Sequence, residues 1–190
     1  MNPLDFFAKT PAGSRQYRYS TGLAEIGFLQ VRMIVHQSEI IHLSFDRIFH
    51  QRALAMLGRL IPAAIPMRMP AGIDHARILV RQLLSPELEG PAADFETNPF
   101  LKAGTAFQRK VWRRICRLGP GQTTTYGELA AVTGSPGGAR AAGNACNRNP
   151  LPLIIPCHRV VAADGLGGFA GNLRIKRKLL DLEKKAGRGW

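Results

Sequence analysis

The sequence predicts an α+β protein of two domains, on three observations. Short runs of β-branched and aromatic residues occupy residues 17–46 and suit antiparallel strands. Capped helical patterns with regular apolar stripes dominate residues 105–186. Between them, residues of about 85–100 are acidic, rich in Pro and Gly and without periodicity, as connectors between domains are. We therefore expect an α/β support domain in residues 1–100, connector included, and a helical domain in residues 101–190.

The predicted support domain begins with an antiparallel meander of strands. Turns are expected where glycines and a polar pair interrupt the strand-like runs, at Gly22, Gly27 and Gln37-Ser38. Two helices should follow, over about 47–60 and 73–84, because apolar residues recur there at helical spacing. Three prolines break the chain between these helices: Pro62, Pro66 and Pro70.

Two capping boxes open helices in the second domain. In each, a threonine is followed three residues later by a side chain that can bond back to its backbone: Thr105 with Gln108, and Thr125 with Glu128. The first predicts a helix that ends at Gly119-Pro120 and has an inward stripe of Phe107, Val111, Ile115 and Leu118. The second predicts a shorter helix that Gly134 can end.

A third helix should follow the second at once. We expect Ser135 as its N-cap and Pro136 as its first residue, and Pro150 ends it. Two short helices joined by a glycine-containing turn make a helix-turn-helix pattern. The second of them carries Arg140 and Arg148 among small residues that allow close approach to a duplex. The alternative is that these small residues serve tight helix packing alone.

The charge of the chain is strongly uneven. The formal net charge is +13, of which residues 1–100 contribute +1 and residues 101–190 contribute +12. A basic half of this kind suits a phosphate backbone, because neutralising phosphates releases counterions. The alternatives are a basic surface that serves solubility and one that binds anionic membranes. No stretch approaches about 20 apolar residues and the first ten residues lack an export signal, so neither a membrane span nor export is expected.

The cysteine and histidine content predicts neither cross-links nor metal. The three cysteines are Cys116, Cys146 and Cys157, without CxxC spacing, so neither a disulfide framework nor a cysteine zinc site is indicated. The histidines show no ligand spacing, so we expect no metal. A reducing cytoplasm is the expected compartment.

Cys157 lies in the stretch LIIPCHRVV, residues 153–161. The apolar run predicts a buried strand, on which a cysteine is ordinarily inert. His158 and Arg159, however, place potential positive charge next to the sulfur, which lowers the pKa of a thiol. A structural and a reactive thiol are therefore both open. Because neighbouring side chains on an extended strand point to opposite faces, direct contact of Cys157 with His158 is disfavoured and a bridging water is expected.

The last predicted helix runs from a cap at Asn172 to Gly187, after a flexible loop at residues 165–168. Its inward stripe is expected to be Ile175, Leu179 and Leu182. Glu183 lies at the edge of that face, where a carboxylate is either solvated or used by a neighbouring group.

Taken together, these motifs closely resemble those of the O6-alkylguanine-DNA alkyltransferases, also called methylated-DNA–protein-cysteine methyltransferases. The resemblance covers residues 104–183 in the family's order and spacing and rests on GTAFQRKVW, TTTYGELA, ARAAGNACNRNP, IPCHRVV and GFAG followed by KRKLLDLE. The first hundred residues resemble the family's variable N-terminal domain only in size and strand pattern. The resemblance implies a ribonuclease-H-like α/β domain followed by a helical winged-helix-like domain.

The resemblance implies a DNA-repair enzyme that works once and needs no cofactor. It makes Cys157 the nucleophile that irreversibly takes an alkyl group, typically methyl, from O6 of guanine, with O4 of thymine as a minor substrate. It makes His158 and Glu183 a relay that receives the thiol proton through a water. Tyr126 is implied to help turn out the nucleotide and to give the departing base a proton, and Asn149 to brace the site.

The same resemblance assigns the contacts with DNA. Arg140 is implied to enter the duplex where the flipped base was, on a surface that also carries Ala139, Arg148 and Tyr126. The guanine pocket is implied to be lined by Tyr126, Cys157, Val160, Phe169 and Ala170. The expected partner is double-stranded DNA containing O6-alkylguanine, bound through its minor groove by a monomer, with no membrane partner.

The sequence departs from the family at two positions and leaves other interpretations open. Cys146 stands where a bulkier Met is frequent and Ala142 replaces a common Val or Met, so this helix face is slimmer than usual. The alternatives are a non-catalytic sensor of alkylated DNA, a helix-turn-helix DNA-binding protein and a Cys-His-Glu hydrolase of small acyl substrates. Cys157 argues against the sensor, and the basic second half argues against the hydrolase.

Overall fold

The computed structural model describes residues 17–84 and 92–186. Three predictions therefore lie outside the described residues: the lack of an export signal at the N-terminus, the first part of the acidic connector and the helix end at Gly187.

The described chain divides into two compact units. One unit holds the described residues up to Leu79 together with Asp94–Ala103. The other runs from Gly104 onward and includes a short segment that begins at Val80. A four-stranded sheet and several helices confirm the predicted α+β class.

The sheet of the first unit has the strand order β3-β2-β1-β4. The bounds are β1 Arg18–Ile26, β2 Leu29–His36, β3 Glu39–Ser44 and β4 Ile65–Pro66. The pairs β1 with β2 and β2 with β3 are antiparallel, which confirms the predicted meander. Its turns lie at the expected places, since Gly27 and the pair Gln37-Ser38 have positive φ. Gly22, expected at a turn, lies inside β1 instead, where an added Cβ would meet the Ile73 side chain at 2.7 Å.

Strand β4 was not predicted, because Pro66 was expected to break the chain. It pairs parallel to β1 through the backbone N–H groups of Ile65 and Met67, which donate to the carbonyls of Tyr17 and Tyr19. A parallel edge strand uses alternate N–H groups, so the donor that proline lacks is not needed here.

Both helices predicted in the first hundred residues are present. Helix α1 spans Arg47–Leu60 as predicted, and the Asp46 side chain caps it by accepting from the backbone of Ile48 and Phe49. Helix α2 spans Pro70–Gln82 and begins three residues earlier than predicted. Pro70 starts this helix instead of breaking the chain, because a proline at the first helical position loses no intrahelical bond.

A short helix, α3 Pro99–Lys102, lies where only connector was predicted. Asn98 caps it by accepting from the backbone of Phe100 and Leu101, and its side-chain amide donates to the carbonyl of Ile41. Phe100 thereby joins the buried core of the unit with Ile34, Ile41, Ala53, Leu57, Leu60 and Ile61.

The second unit begins with the two capped helices that the sequence predicts. They are α4 Ala106–Ile115 and α5 Tyr126–Val132, and both bonds of each capping box are present. Helix α4 ends at Ile115, earlier than the predicted end at Gly119-Pro120. Gly134 follows α5 with φ of 86°, as expected of a glycine that ends a helix. Immediately before α5, β5 Thr124–Thr125 pairs in parallel with β6 Val160–Val161.

Helix α6 spans Ala139–Asn147, so the predicted start at Ser135 and Pro136 is wrong. Residues 135–138 form a turn in which the Gly138 N–H donates to the Ser135 carbonyl, and Gly137 has φ of 79°. Since a residue in that conformation cannot continue a right-handed helix, α6 begins only after Gly138. Helices α5 and α6 pack against each other.

The apolar run before Cys157 is buried, but the predicted strand is wrong. Residues 151–155 form a tight turn in which the Ile155 N–H donates to the Leu151 carbonyl at 2.8 Å and Leu153 has φ of 79°. Prolines at 152 and 156 remove the donors that a strand would use. The chain then makes a 3₁₀ turn at Cys157–Arg159.

The final helix is α7, Leu173–Ala186. Asn172 caps it as predicted, by accepting from the Ile175 backbone at 3.1 Å. Its buried residues are Lys176, Leu179 and Leu180, whereas Leu182 is 40% exposed, so the expected inward stripe was only partly right. No helix in the described ranges is both long and apolar enough to span a membrane.

Candidate active site

Cys157 is held by Asn149 at the start of the 3₁₀ turn. The thiol is buried, and the Asn149 side-chain amide donates to its Sγ at 3.2 Å. The same amide donates to the Ile155 carbonyl at 2.8 Å, and the side-chain oxygen of Asn149 accepts from the Leu151 backbone N–H at 2.9 Å. One side chain therefore fixes both the turn that precedes the thiol and the thiol itself.

The electrostatic surroundings of Cys157 differ from those expected from its neighbours in sequence. Burial raises the pKa of the Cys157 thiol, and the Asn149 hydrogen bond and the Lys176 ammonium lower it. His158 and Arg159 were predicted to supply this positive charge. The guanidinium of Arg159 is directed to Glu183 instead, and the charge that acts on the thiol comes from Lys176.

His158, which is buried, and Glu183, which is partly buried, form a hydrogen-bonded pair. The His158 Nε2 atom lies 2.8 Å from Oε1 of Glu183, although the two residues are 25 positions apart. Burial lowers the pKa of His158 more than Glu183 raises it, so the imidazole is neutral at pH 7. A carboxylate only accepts hydrogen bonds, so the proton is on Nε2. Nδ1 is then an acceptor, buried and without a hydrogen-bond partner among the described residues.

Glu183 is also the partner of Arg159. The guanidinium donates from Nε and Nη2 to the carboxylate at 2.8–3.1 Å, and its Nη1 donates to the Leu118 carbonyl. The Gly121 N–H donates to the other carboxylate oxygen at 3.0 Å. Burial raises the pKa of Glu183, but the hydrogen bonds from His158 and Arg159 outweigh it and hold that pKa at about 2. Glu183 is therefore ionised at neutral pH, and its carboxylate accepts hydrogen bonds from both His158 and Arg159.

Tyr126 is the first residue of α5, and its half-buried ring contacts the glycine-rich loop at residues 165–168. Its hydroxyl donates to the Gly168 carbonyl at 3.0 Å. Burial, then the neighbouring Cys146 and Cys157, raises the pKa of Tyr126 to about 12, so the hydroxyl keeps its proton at neutral pH. A Cβ on Gly167 would lie 2.7 Å from the ring, and Gly167 has φ of 65°. Only glycine therefore fits at 167 beside this tyrosine.

Lys176 is the site residue that sequence reasoning missed. Its side chain is fully buried, and Nζ donates to the Val160 carbonyl at 2.6 Å and to the Gly168 carbonyl at 3.1 Å. The ammonium also lies 5.6 Å from the centre of the Tyr126 ring. A signal was present in the sequence, because positions 176, 179, 180 and 183 share one helical face, on which a lysine is unexpected.

The residues predicted to line the pocket and to contact DNA differ in how exposed they are. Val160 is buried in β6, Phe169 is half-buried and Ala170 is exposed. Ala139, Arg140 and Arg148 are exposed on or just after α6, whereas Ala142 and Cys146 of the same helix are buried. The described structure thus brings together the predicted Cys157, His158, Glu183, Asn149 and Tyr126, and leaves the arginines on the surface. Within the described ranges, no cluster of three or more His, Cys, Asp or Glu could hold a metal.

Comparison with known proteins points to one family. Residues 106–185 match the model described as 6-O-methylguanine DNA methyltransferase, DNA binding domain. A probable methylated-DNA–protein-cysteine methyltransferase of Acanthamoeba polyphaga mimivirus is 47% identical over 93 residues, which are 48% of this chain and 62% of that protein. The chain spans about three fifths of the length of the curated relatives it matches first.

Solved structures match over most of the chain. A variant of the Mycobacterium tuberculosis O6-methylguanine methyltransferase is 30% identical with a TM-score of 0.66, over 88% of this chain and 92% of that one. Mycobacterium tuberculosis OGT in complex with DNA is 28% identical with a TM-score of 0.64, over 88% of this chain and 93% of that one.

Proposed function

Because the chain belongs to the 6-O-methylguanine DNA methyltransferase family, we propose that it repairs alkylated DNA by direct reversal, moving one alkyl group from O6 of guanine to Cys157. The relatives carry the name methylated-DNA–protein-cysteine methyltransferase, which is what the proposal extends to this chain.

The observation that carries this proposal is the arrangement around the Cys157 thiol. A buried thiol that accepts from Asn149 lies beside a neutral His158 whose Nδ1 has no protein partner among the described residues. Glu183 fixes the tautomer of that imidazole from the other side. Nucleophile, base and orienting carboxylate are the three parts of an activated nucleophile.

The transfer balances without a cofactor. The thiol proton passes through a water to Nδ1 of His158, and the Cys157 sulfur then forms a bond to the alkyl carbon as the bond from that carbon to O6 breaks. The electron pair of the broken bond goes to the guanine, which receives a proton from the Tyr126 hydroxyl. The proton held by His158 replaces the one that Tyr126 gives, so the products are a thioether and unmodified guanine.

One turnover per molecule follows from the product. A thioether has no S–H to lose, and nothing in the arrangement around Cys157 hydrolyses a carbon–sulfur bond. Sulfur suits this displacement because it is soft and polarisable and becomes a strong nucleophile once deprotonated. We extend the proposal to methylated O4 of thymine as a minor substrate.

We propose that the exposed surface of α5 and α6 binds duplex DNA through the minor groove. Arg140 would enter the stack in place of the flipped nucleotide, while Ala139 allows close approach and Arg148 contacts phosphate. The net charge of +12 over residues 101–190 supports a phosphate partner. A structure of the related OGT in complex with DNA supports the same partner.

The pocket would read guanine mainly with backbone groups. The Ala170 amide would donate to O6, and the carbonyls of Cys157 and Val160 would accept from the exocyclic amine, with Tyr126 and Phe169 as walls. Val160 already accepts from Lys176, but a carbonyl oxygen has a second lone pair for the base.

We also propose a specific fold for each of the two domains. We assign a ribonuclease-H-like support domain to residues 1–100 and a winged-helix-like domain to residues 101–190. The chain would act as a monomer in the cytoplasm. The four-stranded sheet with its parallel edge strand and the consecutive helices α5 and α6 are the features that support this assignment.

The deciding experiment is incubation of the protein with duplex DNA bearing O6-methylguanine, followed by intact-protein mass spectrometry. The expected result is a stoichiometric gain of one methylene equivalent that is absent in Cys157→Ala and retained in Cys116→Ala, in which an exposed thiol is removed. Unchanged mass with tight binding to the damaged duplex would instead identify a lesion sensor. Repeated turnover of a small ester would identify a hydrolase.

A further inference from the structure

We infer that the first unit carries a docking cleft for an extended acidic peptide of another protein, which adds beside the open edge of strand β1 at Thr21. The cleft has a volume of about 520 Å³, within the range of about 300–1,000 Å³ that ligand sites occupy. All of its lining residues lie within residues 19–77, in the first unit. The alkyl transfer uses none of these residues, so the inference stands or falls separately from the proposed function.

The first argument is the edge of the sheet. Strand β1 spans nine residues, but β4 pairs with only two of them, Arg18 and Tyr19. The Met67 N–H, just after β4, donates to the Tyr19 carbonyl at 2.7 Å, and from there the chain leaves the sheet for helix α2. The position beside Thr21, which is exposed and lines the cleft, is therefore open to a further strand.

Thr21 presents both of its backbone groups to this edge. The carbonyls of Tyr17 and Tyr19 accept from the β4 side, so alternation along the strand directs the N–H and C=O of Thr21 the same way. The next carbonyl on this side, that of Leu23, accepts from the Arg77 Nε at 3.0 Å. Neither backbone group of Thr21 has a partner on this side among the residues that the structure describes. Such groups are what an added strand bonds to.

The second argument is the lining of the cleft, which suits an extended chain with apolar side chains. It includes two methionines, two prolines and an isoleucine: Met67, Met69, Pro66, Pro70 and Ile73. Met67 is 40% exposed although it is apolar. Methionine adapts to partners of varied shape, and apolar groups exposed at a concave surface are typical of interaction sites. Ser20 also lines the cleft, and its buried hydroxyl has no hydrogen-bond partner in the described part of the chain.

The third argument is charge, which favours an acidic occupant. The lining holds two arginines, Arg68 and Arg77, and one carboxylate, Asp74. Asp74 accepts from Nη1 of Arg77 at 2.7 Å, so Arg68 is left exposed without a carboxylate partner among the described residues. A second copy of this chain would bring like charges together at the same edge, which disfavours pairing of two β1 strands. An acidic segment of another protein places a carboxylate on Arg68 instead.

The test is a selection of random heptapeptides displayed on phage, carried out on the full-length protein. Enriched peptides are then measured by fluorescence polarisation against the wild type, Arg68→Glu and Arg59→Glu, the last being a matched charge reversal at an exposed arginine of α1. The enriched peptides should share an acidic residue. Arg68→Glu should weaken their binding about tenfold or more, because it replaces an attraction by a repulsion, whereas Arg59→Glu should bind them as the wild type does.

The open edge is tested separately with Thr21→Pro, which removes an N–H that faces away from β2. This variant should bind an enriched peptide about tenfold more weakly or worse, since an edge hydrogen bond is lost. In the wild type, the same peptide should slow hydrogen exchange of the Thr21 amide, as measured by NMR. A fully N-methylated version of the peptide should not bind, because it has no backbone donors. That peptide keeps the test decisive if Thr21→Pro does not fold.

Peptides that bind the wild type and Arg68→Glu alike would overturn the inference, as would a selection that enriches no peptide. Protection of the Thr21 amide by undamaged duplex DNA, and by no peptide, would show that the cleft binds DNA and would also overturn it. Alkyl transfer to Cys157 should be unchanged in Arg68→Glu. Failure of the proposed function would look different, because the wild type would then gain no methyl group from damaged DNA while its peptide binding stayed the same.

Discussion

Glu183 holds His158 in one tautomer, with the imidazole Nε2–H donating to the carboxylate Oε1 at 2.8 Å. This contact directs the free lone pair of Nδ1 into the buried interior, where a base for the Cys157 thiol is needed. The same carboxylate accepts hydrogen bonds from Arg159. Glu183 therefore both orients the base and anchors α7.

Glu183→Gln should damage both stability and reactivity. The partly buried Arg159 would lose its ionic partner, at a cost of about 3 kcal/mol in the free energy of unfolding, and transfer to Cys157 should slow about a hundredfold because His158 is no longer oriented by a charge. Asp181→Asn, at an exposed position of α7, is the matched control. Urea unfolding and a single-turnover assay would measure the two effects.

The same residue sets a pH dependence. The folded pKa of Glu183 is about 2, below the ordinary value of about 4.3, so its contribution to stability is full above about pH 4.5 and is lost as pH falls toward 2. Glu183→Gln should flatten the stability profile over that acidic range. An unchanged slope in the variant would mean that another carboxylate is responsible.

Tyr126→Phe should slow alkyl transfer while leaving the fold and DNA affinity in place. The ring that packs beside Gly167 is kept, and only the hydroxyl that donates to Gly168 is lost. General acid catalysis is typically worth about a hundredfold or more, and single-turnover rates on O6-methylguanine duplexes would detect this loss. Tyr19→Phe, in the sheet of the first unit, should have no effect. Equal rates for wild type and Tyr126→Phe would remove the proton-donor role.

Arg140→Ala should abolish most repair in duplex DNA but leave the reaction with the free base O6-benzylguanine unchanged. The free base has no stack to hold open, so it does not need an intercalated side chain. Arg114→Ala, an exposed arginine on α4, is the control for charge alone. Each variant should reduce the slope of log affinity against log salt by about 1 at most. Equal losses of duplex repair in Arg140→Ala and Arg114→Ala would mean that Arg140 only contacts phosphate.

The first unit should lose stability in mild acid because of His42. Burial, then the neighbouring His50, lowers the pKa of His42 to about 3. A histidine that stays neutral when folded stabilises the fold fully above its unfolded pKa of about 6.5, and this contribution is lost as pH falls toward 3. Burial, then the Arg32 guanidinium, lowers the pKa of His50 as well, so both oppose protonation of the pair.

His42→Phe should remove much of this acid sensitivity, since a phenyl ring can occupy the same space beside Phe100 without taking up a proton. Thermal unfolding between pH 7 and pH 4 measures the difference, which should amount to a few kcal/mol at the acidic end. His75→Gln, at an exposed position, should retain the wild-type profile. A steep loss of stability in His42→Phe would place the responsible group elsewhere.

The elements that could be predicted are those with local causes. Both capping boxes join residues three apart, and both formed at Thr105 and Thr125 as expected. The meander and helix α1 follow from alternation and periodicity within short windows. The errors lie where the same residues suit more than one local conformation. The turn at residues 151–155 and the late start of α6 are two such places.

The sequence by itself determined the chemistry available to this protein: one thiol beside a histidine, a tyrosine at the head of a capped helix, and a basic second half. Only the tertiary structure decided which charges meet which groups. Arg159 pairs with Glu183, 24 residues away, and not with its near neighbour Cys157. Lys176, on α7, donates hydrogen bonds to the carbonyls of Val160 and Gly168. These pairings follow from how a turn, a loop and a helix face pack together, because burial makes a charge seek the partner that the fold brings within hydrogen-bonding distance.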